Sequence, residues 1–291
     1  MRKLLPGKKS SEKGQVVLIV LLIMSVILVV GLSIASRSVT DIKISQQSQE
    51  AARALWVAQA GLEEAIKLNQ SIGAGEKQPL GGVEYSVTKR GIGGSDEFVF
   101  PESVAADEAV TLWLINHNDD GTIGSGGYTG NTLKFFWGKE DPPPLSDTTP
   151  ALEATLIYKD SADKGQAKRY VFDPYSDRNP ATSFSNPPNN NCSAGGQNFA
   201  FCSNATNLNL SGGATPYFVR IKLLFNTDSA QPVGVSAEGG KSLPGQGNCY
   251  ESSATIAESG VTRKLRQCQL WSTPPSIFDN VLFSGTNLPS D

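Results

Sequence analysis

GQVVLIVLLIMSVILVVGLSIAS, residues 14–36, runs for 23 consecutive positions without a charged side chain. As a helix it would be roughly 35 Å long, enough to cross a hydrocarbon layer of about 30 Å. Runs of this length without a charge are rare in the cores of soluble domains, so the stretch is expected to lie in a membrane. Ahead of it, Arg2, Lys3, Lys8, Lys9 and Lys13 stand against Glu12, five bases to one acid and a net of +4. A basic leader of this kind stays in the cytoplasm while the rest of the chain crosses. A removable secretory signal has an apolar core of about 7–15 residues followed by a small-x-small cleavage site. Ser33-Ile34-Ala35 has that spacing, but the helical pattern does not stop there.

From Ser38 to Leu68 there is no proline, and the one glycine is Gly61. Ala51, Leu55, Ala58, Leu62 and Ile66 (with Ala65 beside it) recur at spacings of three and four, on one helical face, while Gln, Glu, Arg and Lys fill the other. The spacing predicts one helix from about Gln15 to Leu68, lipid-soluble in its first half and amphipathic in its second. A signal peptide destined for removal has no reason to continue into an amphipathic stalk.

This order of parts resembles a type IV pilin or a type II secretion pseudopilin. The residues that carry the resemblance are Lys13-Gly14-Gln15-Val16-Val17-Leu18-Ile19, the helix behind them, and Ala58-Gln-Ala-Gly-Leu-Glu-Glu-Ala65. The resemblance implies that a prepilin peptidase cuts after Gly14 on the cytoplasmic face and methylates the new N-terminus at Gln15. It implies residues 1–14 as leader, 15–68 as transmembrane and stalk helix, 69–82 as linker and 83–291 as a β-rich extracytoplasmic head. Two positions depart from the family pattern. Gln15 replaces the usual Phe or other apolar residue, and Ile19 stands where most members carry Glu at the fifth mature position. In the family that carboxylate meets the N-terminal amine of the preceding subunit inside an apolar fibre core, where an unpaired charge is expensive. A subunit without it resembles minor subunits at the fibre tip, which have no neighbour above. An ordinary single-pass anchor unrelated to any fibre is the plainer reading of Ile19.

The rest of the chain reads as β-rich. Residues 69–82 are polar and turn-rich. Beyond them, runs at 83–88, 97–100, 110–115, 132–137, 151–159, 168–172, 217–225, 231–237, 260–271 and 277–283 are predicted strands. The count suggests an antiparallel sandwich or two packed sheets, so the fold class is α+β. Asp141-Pro-Pro-Pro marks a loop. Residues 173–216 are rich in Pro, Asn, Ser and Gly and read as a long exposed or partly disordered excursion. The four cysteines are Cys192, Cys202, Cys249 and Cys268, an even number with no C-x-x-C pair. Outside a membrane they are read as disulfides. Sequence proximity favours 192–202 and 249–268, but four cysteines allow three connectivities.

Little in the sequence points to catalysis. The net charge is −3, from 25 Lys+Arg and 28 Asp+Glu, so no nucleic-acid partner is expected. One histidine, His117, argues against a His-based zinc site; serine-hydrolase chemistry would need it as the base, and there is no Gly-x-Ser-x-Gly elbow. Asn116, Asn118 and Asp120 open like a calcium loop, yet the twelfth position is Gly127 where a bidentate Glu is needed, and a polar hairpin turn is the simpler reading. Glu238-Gly-Gly-Lys-Ser242 lacks the first glycine of a phosphate loop. Asn191, Asn204 and Asn209 each begin an Asn-x-Ser/Thr sequon, as expected by chance in such a loop. The sequence therefore points to a non-enzymatic structural subunit with no cofactor. Its partners would be other pilin subunits, the prepilin peptidase and the inner membrane. It would be a single-pass precursor first, then part of a surface fibre with a role in initiation, capping or adhesion. A surface binding module held by an uncleaved anchor, and a membrane-anchored hydrolase, are the alternatives.

Overall fold

The computed structural model describes residues 13–178, 183–186, 189–210 and 212–275. Helix α1 spans Lys13–Leu68 without a break. Its apolar half is long and apolar enough to cross a membrane and is exposed throughout. Two hydroxyls in this helix turn back onto its backbone: Ser25 Oγ donates to the Leu22 carbonyl at 2.8 Å and Thr40 Oγ1 to the Ser36 carbonyl at 3.0 Å. Among apolar side chains the helix's own carbonyls are the ready acceptors for such a hydroxyl. The helix stops where Asn69 takes φ +53° and the Gln70 N–H bonds the Ala65 carbonyl at 3.2 Å. That is a left-handed C-terminal cap, with Asn in the position glycine usually fills. Lys67 in the last turn faces the negative end of the helix dipole.

After α1 the described chain is strands and turns. The strands are β1 (Gln78–Leu80), β2 (Val83–Gly93), β3 (Glu97–Val99), β4 (Ala109–Trp113), β5 (Ile115–His117), β6 (Ile123–Gly127), β7 (Thr132–Lys139) and β8 (Ala151–Lys159). They continue with β9 (Gly165–Phe172), β10 (Asn189–Ala194), β11 (Gln197–Cys202), β12 (Thr206–Asn207), β13 (Thr215–Leu224), β14 (Val233–Ala237), β15 (Gly245–Ile256) and β16 (Thr262–Leu270). One sheet has the order β1-β2-β15-β16, a second β10-β11-β7-β14-β3 with β12 also on β7, and a third β4-β13-β8-β9; β5 and β6 form a hairpin. Pairing is antiparallel within the second and third sheets and in the β5–β6 hairpin. The fold is thus α+β, a long apolar N-terminal helix followed by a β-rich antiparallel region of several sheets.

Two compact units emerge. The first takes in residues 13–64, 72–87 and 252–265. Its buried helix residues are Ala54, Val57, Ala58, Gly61 and Leu62, and its buried strand residues include Val83, Tyr85, Val87, Ala254 and Ile256. Gly61 allows the Tyr85 ring to lie against the helix: a Cβ at residue 61 would stand 2.4 Å from Tyr85 Cδ2. Tyr85 Oη donates to Glu64 at 2.9 Å, and Arg53 donates to the Gly81 carbonyl.

The second unit takes in residues 65–71, 88–251 and 266–275. Strand alternation builds its core. In β13, Val219, Ile221 and Leu223 are buried while Arg220 and Lys222 are half-exposed. In β8, Leu152, Ala154 and Leu156 do the same. They share one cluster with Leu133, Phe135 and Trp137 of β7 and Val233 and Val235 of β14, so side chains from two sheets meet in a single apolar core. Each fully buried Leu or Phe contributes on the order of 1.5–3 kcal/mol. A smaller cluster, Phe136, Ala194, Phe199 and Cys202, lies on the other face of the β7 sheet, with Cys192 packed against it.

Most predicted strands lie within a few residues of observed ones, and 151–159 coincides with β8. Four differences stand out. Residues 173–216 are not a structureless excursion: β10 and β11 pair with each other, and β11 pairs with β7. Gly195 and Gly196, at φ +57° and +77°, make the two-residue turn that joins them. The run read as a linker contains β1, and the single strand expected at 110–115 is broken into β4 and β5. β15 was not anticipated at all. The predicted strand at 277–283 and residues 1–12 of the leader lie outside the described residues.

Candidate functional site

Of the processing residues, Gly14 and Gln15 fall in the first turn of α1, so the bond between them is helical in the intact chain. Ile19 is 53% exposed, in line with the apolar residues around it. The expected stalk face is displaced. Ala58 and Leu62 are buried and Ala51 and Ile66 are half-buried, but Leu55 is 41% exposed. The buried positions are Ala54, Val57, Ala58, Gly61, Leu62 and Ala65. Small residues set this face, because they let strand side chains such as Tyr85 approach the helix axis. Leu55 and Trp56, which is 69% exposed, are left on the open side.

Cys192 is bonded to Cys202 and Cys249 to Cys268. The first bond closes the β10–β11 hairpin inside the smaller apolar cluster, and the second ties β15 to β16. Among the described residues no free cysteine remains.

Asn116, Asn118 and Asp120 lie in the β5–β6 hairpin. Asp120 Oδ1 accepts from Thr122 N–H at 2.9 Å and from Thr122 Oγ1 at 2.6 Å, Asn118 Nδ2 donates to Thr122 Oγ1, and Asn116 Nδ2 donates to the Ser125 carbonyl. The Thr122 bonds hold the Asp120 carboxyl below its ordinary range. These bonds close a polar hairpin turn. Among the described residues no group of three or more His, Cys, Asp or Glu is placed to hold a metal.

His117, at the end of β5, stacks on Trp271 with ring centres 5.4 Å apart and meets Trp113 edge-on at 4.4 Å. Desolvation lowers its pKa, outweighing a backbone bond to Ile115. Beside it, Gln246 is buried and acts as a strand partner for β4: its Oε1 accepts from Trp113 N–H at 2.8 Å and its Nε2 donates to the Trp113 carbonyl at 2.9 Å. These contacts hold the half-buried imidazole between two indole rings.

The second unit also carries a surface recess of about 190 Å³. It lies where the end of β7 meets the segment 226–231, under the proline-rich strap 140–150. A buried ion pair holds that strap. Asp173, fully buried, accepts from Arg178 Nε at 2.9 Å and Nη2 at 2.8 Å. The same guanidinium donates to the carbonyls of Asp147 at 2.6 Å and Thr149 at 2.7 Å, and its face lies 4.2 Å from the Phe225 ring centre. Trp137 Nε1 adds a bond to the Pro150 carbonyl at 2.9 Å. Sequence reading missed both clamp and recess. The one local signal was Asp141-Pro-Pro-Pro, which marks a stiff loop without saying what lies beneath it. Set against family models, curated proteins and solved structures, the chain gives no match.

Proposed function

We propose that this chain is a minor subunit of a type IV pilus-like or secretion-type fibre, made as a single-pass precursor and cut between Gly14 and Gln15. The observation that carries the reading is one unbroken helix, Lys13–Leu68, whose first half is exposed and apolar and whose second half buries a small-residue face. A removable signal needs no such continuation. The two disulfides fit a head outside the cytoplasm. The head reads as a sandwich-like pair of sheets, because one apolar cluster draws on both the β7 and β13 sheets. With Ile19 in place of the usual Glu, the subunit has no carboxylate to offer a neighbour above it, which suits a place at the fibre tip and a role in initiation, capping or adhesion.

The deciding experiment is N-terminal mass spectrometry of the protein extracted from its own host's membranes. A mature chain beginning at Gln15 supports the proposal. An intact Met1 would instead favour a surface binding module on an uncleaved anchor, a reading that Ile19 also fits. A start near Ser36 would mean an ordinary secretory signal and end the fibre reading.

A further inference from the structure

The two disulfides of the second unit have sulfurs in unlike surroundings. Cys202 is fully buried, and both it and its partner Cys192 pack into the apolar cluster of Phe136, Ala194 and Phe199. Apolar burial raises the pKa of a thiol, so a thiolate set free there would be unfavourable. The Cys249–Cys268 bond is placed otherwise. Cys268 is half-buried on β16, between the exposed Gln267 and Gln269. Cys249 is 5% exposed, and Arg266 Nη2 donates to its sulfur at 3.8 Å. Strand β16 carries Arg263, Lys264 and Arg266 with no acid, and the acid on β15 is Glu251.

Thiol–disulfide exchange depends on which sulfur an incoming thiolate reaches and on how readily the other sulfur leaves as an anion. Both preferences point the same way here. Access favours Cys268, the less buried of the pair. A guanidinium beside a sulfur lowers the pKa of its thiol, so Cys249 is the better leaving group. The surroundings also preserve the strand ends when the sulfurs part. Trp271 N–H bonds the Gln246 carbonyl at 2.9 Å, and its Nε1 bonds the Gly245 carbonyl at 2.8 Å. The end of β16 thus stays fastened to the start of β15, and the two thiols remain neighbours able to reclose.

We propose that Cys249–Cys268 is an exchange-competent disulfide, opened by an external dithiol through attack at Cys268, while Cys192–Cys202 stays closed. One thiolate of the dithiol attacks Cys268 Sγ. A mixed disulfide forms there, the bond to Cys249 breaks, and its electron pair leaves on Cys249 Sγ as a thiolate beside Arg266. The second thiolate of the dithiol then attacks its own sulfur in the mixed disulfide and releases the Cys268 thiolate. The dithiol ends as a disulfide, two electrons have passed to the protein, and solvent protonates the thiolates. The reading goes beyond the fibre proposal without depending on it. The test uses the full, folded chain in a non-ionic detergent. Samples taken during treatment with dithiothreitol are quenched in acid, alkylated and peptide-mapped by mass spectrometry. The Cys249–Cys268 bond is expected to open at least about tenfold faster than Cys192–Cys202. Arg266→Gln should slow that opening by about threefold or more, and Arg266→Lys should restore it. Arg263→Gln, the same loss of charge elsewhere on β16, should leave it unchanged. Mere loosening of the fold by Arg266→Gln would instead speed the opening of both bonds. The monothiol glutathione, followed by a pulse of iodoacetamide, should give a glutathione adduct on Cys268 and an alkylated Cys249. Opening of Cys192–Cys202 first or at an equal rate, an adduct on Cys249, an Arg266→Gln rate equal to or above the native one, no recovery in Arg266→Lys, or an equal slowing by Arg263→Gln each overturns the proposal. None of these outcomes depends on where the N-terminus is cut.

Discussion

Replacing Gly61 by alanine sets two effects of opposite sign against each other. In an exposed helix interior the change should stabilise by about 1 kcal/mol, because glycine gives up more backbone freedom on folding. Here the new Cβ would lie 2.4 Å from Tyr85 Cδ2 and 2.6 Å from Cε2. Ordinary contact begins near 3.4 Å, so the ring must retreat by about 1 Å. Tyr85 is 7% exposed and its hydroxyl donates to Glu64 at 2.9 Å, so the retreat disturbs both packing and a charge-assisted bond. Overpacking costs about 1–3 kcal/mol and a strained bond to a carboxylate about 1 kcal/mol more. The net expectation is a loss of about 2 kcal/mol, a thermal midpoint lower by about 4–8 °C for a domain of this size. The assay is thermal unfolding of the full chain in detergent, with Gly31→Ala as control, since nothing lies within 4 Å of a Cβ there. In a Tyr85→Ala background the sign should reverse, and Gly61→Ala should stabilise. If Gly61→Ala raises the midpoint of the otherwise native chain, the close approach of Tyr85 is not what holds this helix face.

Three further outcomes are expected. Arg178→Met should destabilise the second unit by about 3–5 kcal/mol by urea titration, because it strands the fully buried Asp173 carboxylate; adding Asp173→Asn should recover part of the loss. Gln246→Leu should cost about 2–4 kcal/mol in the same assay, since it leaves the N–H and carbonyl of Trp113 without their shared partner in a buried position, and Gln246→Glu should not rescue it. The His117 pKa is lowered in the folded state, so its contribution is fully present above the ordinary value of about 6.5 and is lost as pH falls from there through the folded value. Acidification from pH 7.5 to 5 should therefore lower the thermal midpoint of the native chain, and the drop should be smaller in His117→Phe; an equal drop would assign it to other groups.

The helix was legible because two independent signals coincide in it, a charge-free run and a period between three and four. Its length was read to within two residues. Its buried face was read less well, because the periodicity weights large apolar residues such as Leu55, whereas close packing here selects Ala54, Gly61 and Ala65. Strands rich in β-branched residues and leucine, such as β8 and β13, announce themselves by alternation. β15 does not: its buried positions include Gln246, Asn248, Ser252 and Ala254, and the burial comes from tertiary contacts that a polar sequence does not advertise. β10 and β11 were hidden by asparagine and serine, although Gly195-Gly196 between two short runs is a hairpin signal. The recess could not be read from local pattern at all. It forms because Gly138 N–H bonds the Pro232 carbonyl, and that long-range pairing brings residues 138–150 beside 226–231.

The two outermost strands of the second sheet, β10 and β3, approach each other at one end. Gly195 N–H donates to the Glu97 carboxylate at 2.6 Å, and the space a side chain at 195 would need is taken by Val99. A sheet edge with free N–H and carbonyl groups is a template onto which another chain can grow. Here the two borders are turned toward one another and pinned by an acid, with the Cys192–Cys202 bond stiffening one of them. Heads crowded side by side on a surface would find little there to zip onto. The outer strands of this sheet are thereby poorer templates for strand addition at the end where they meet.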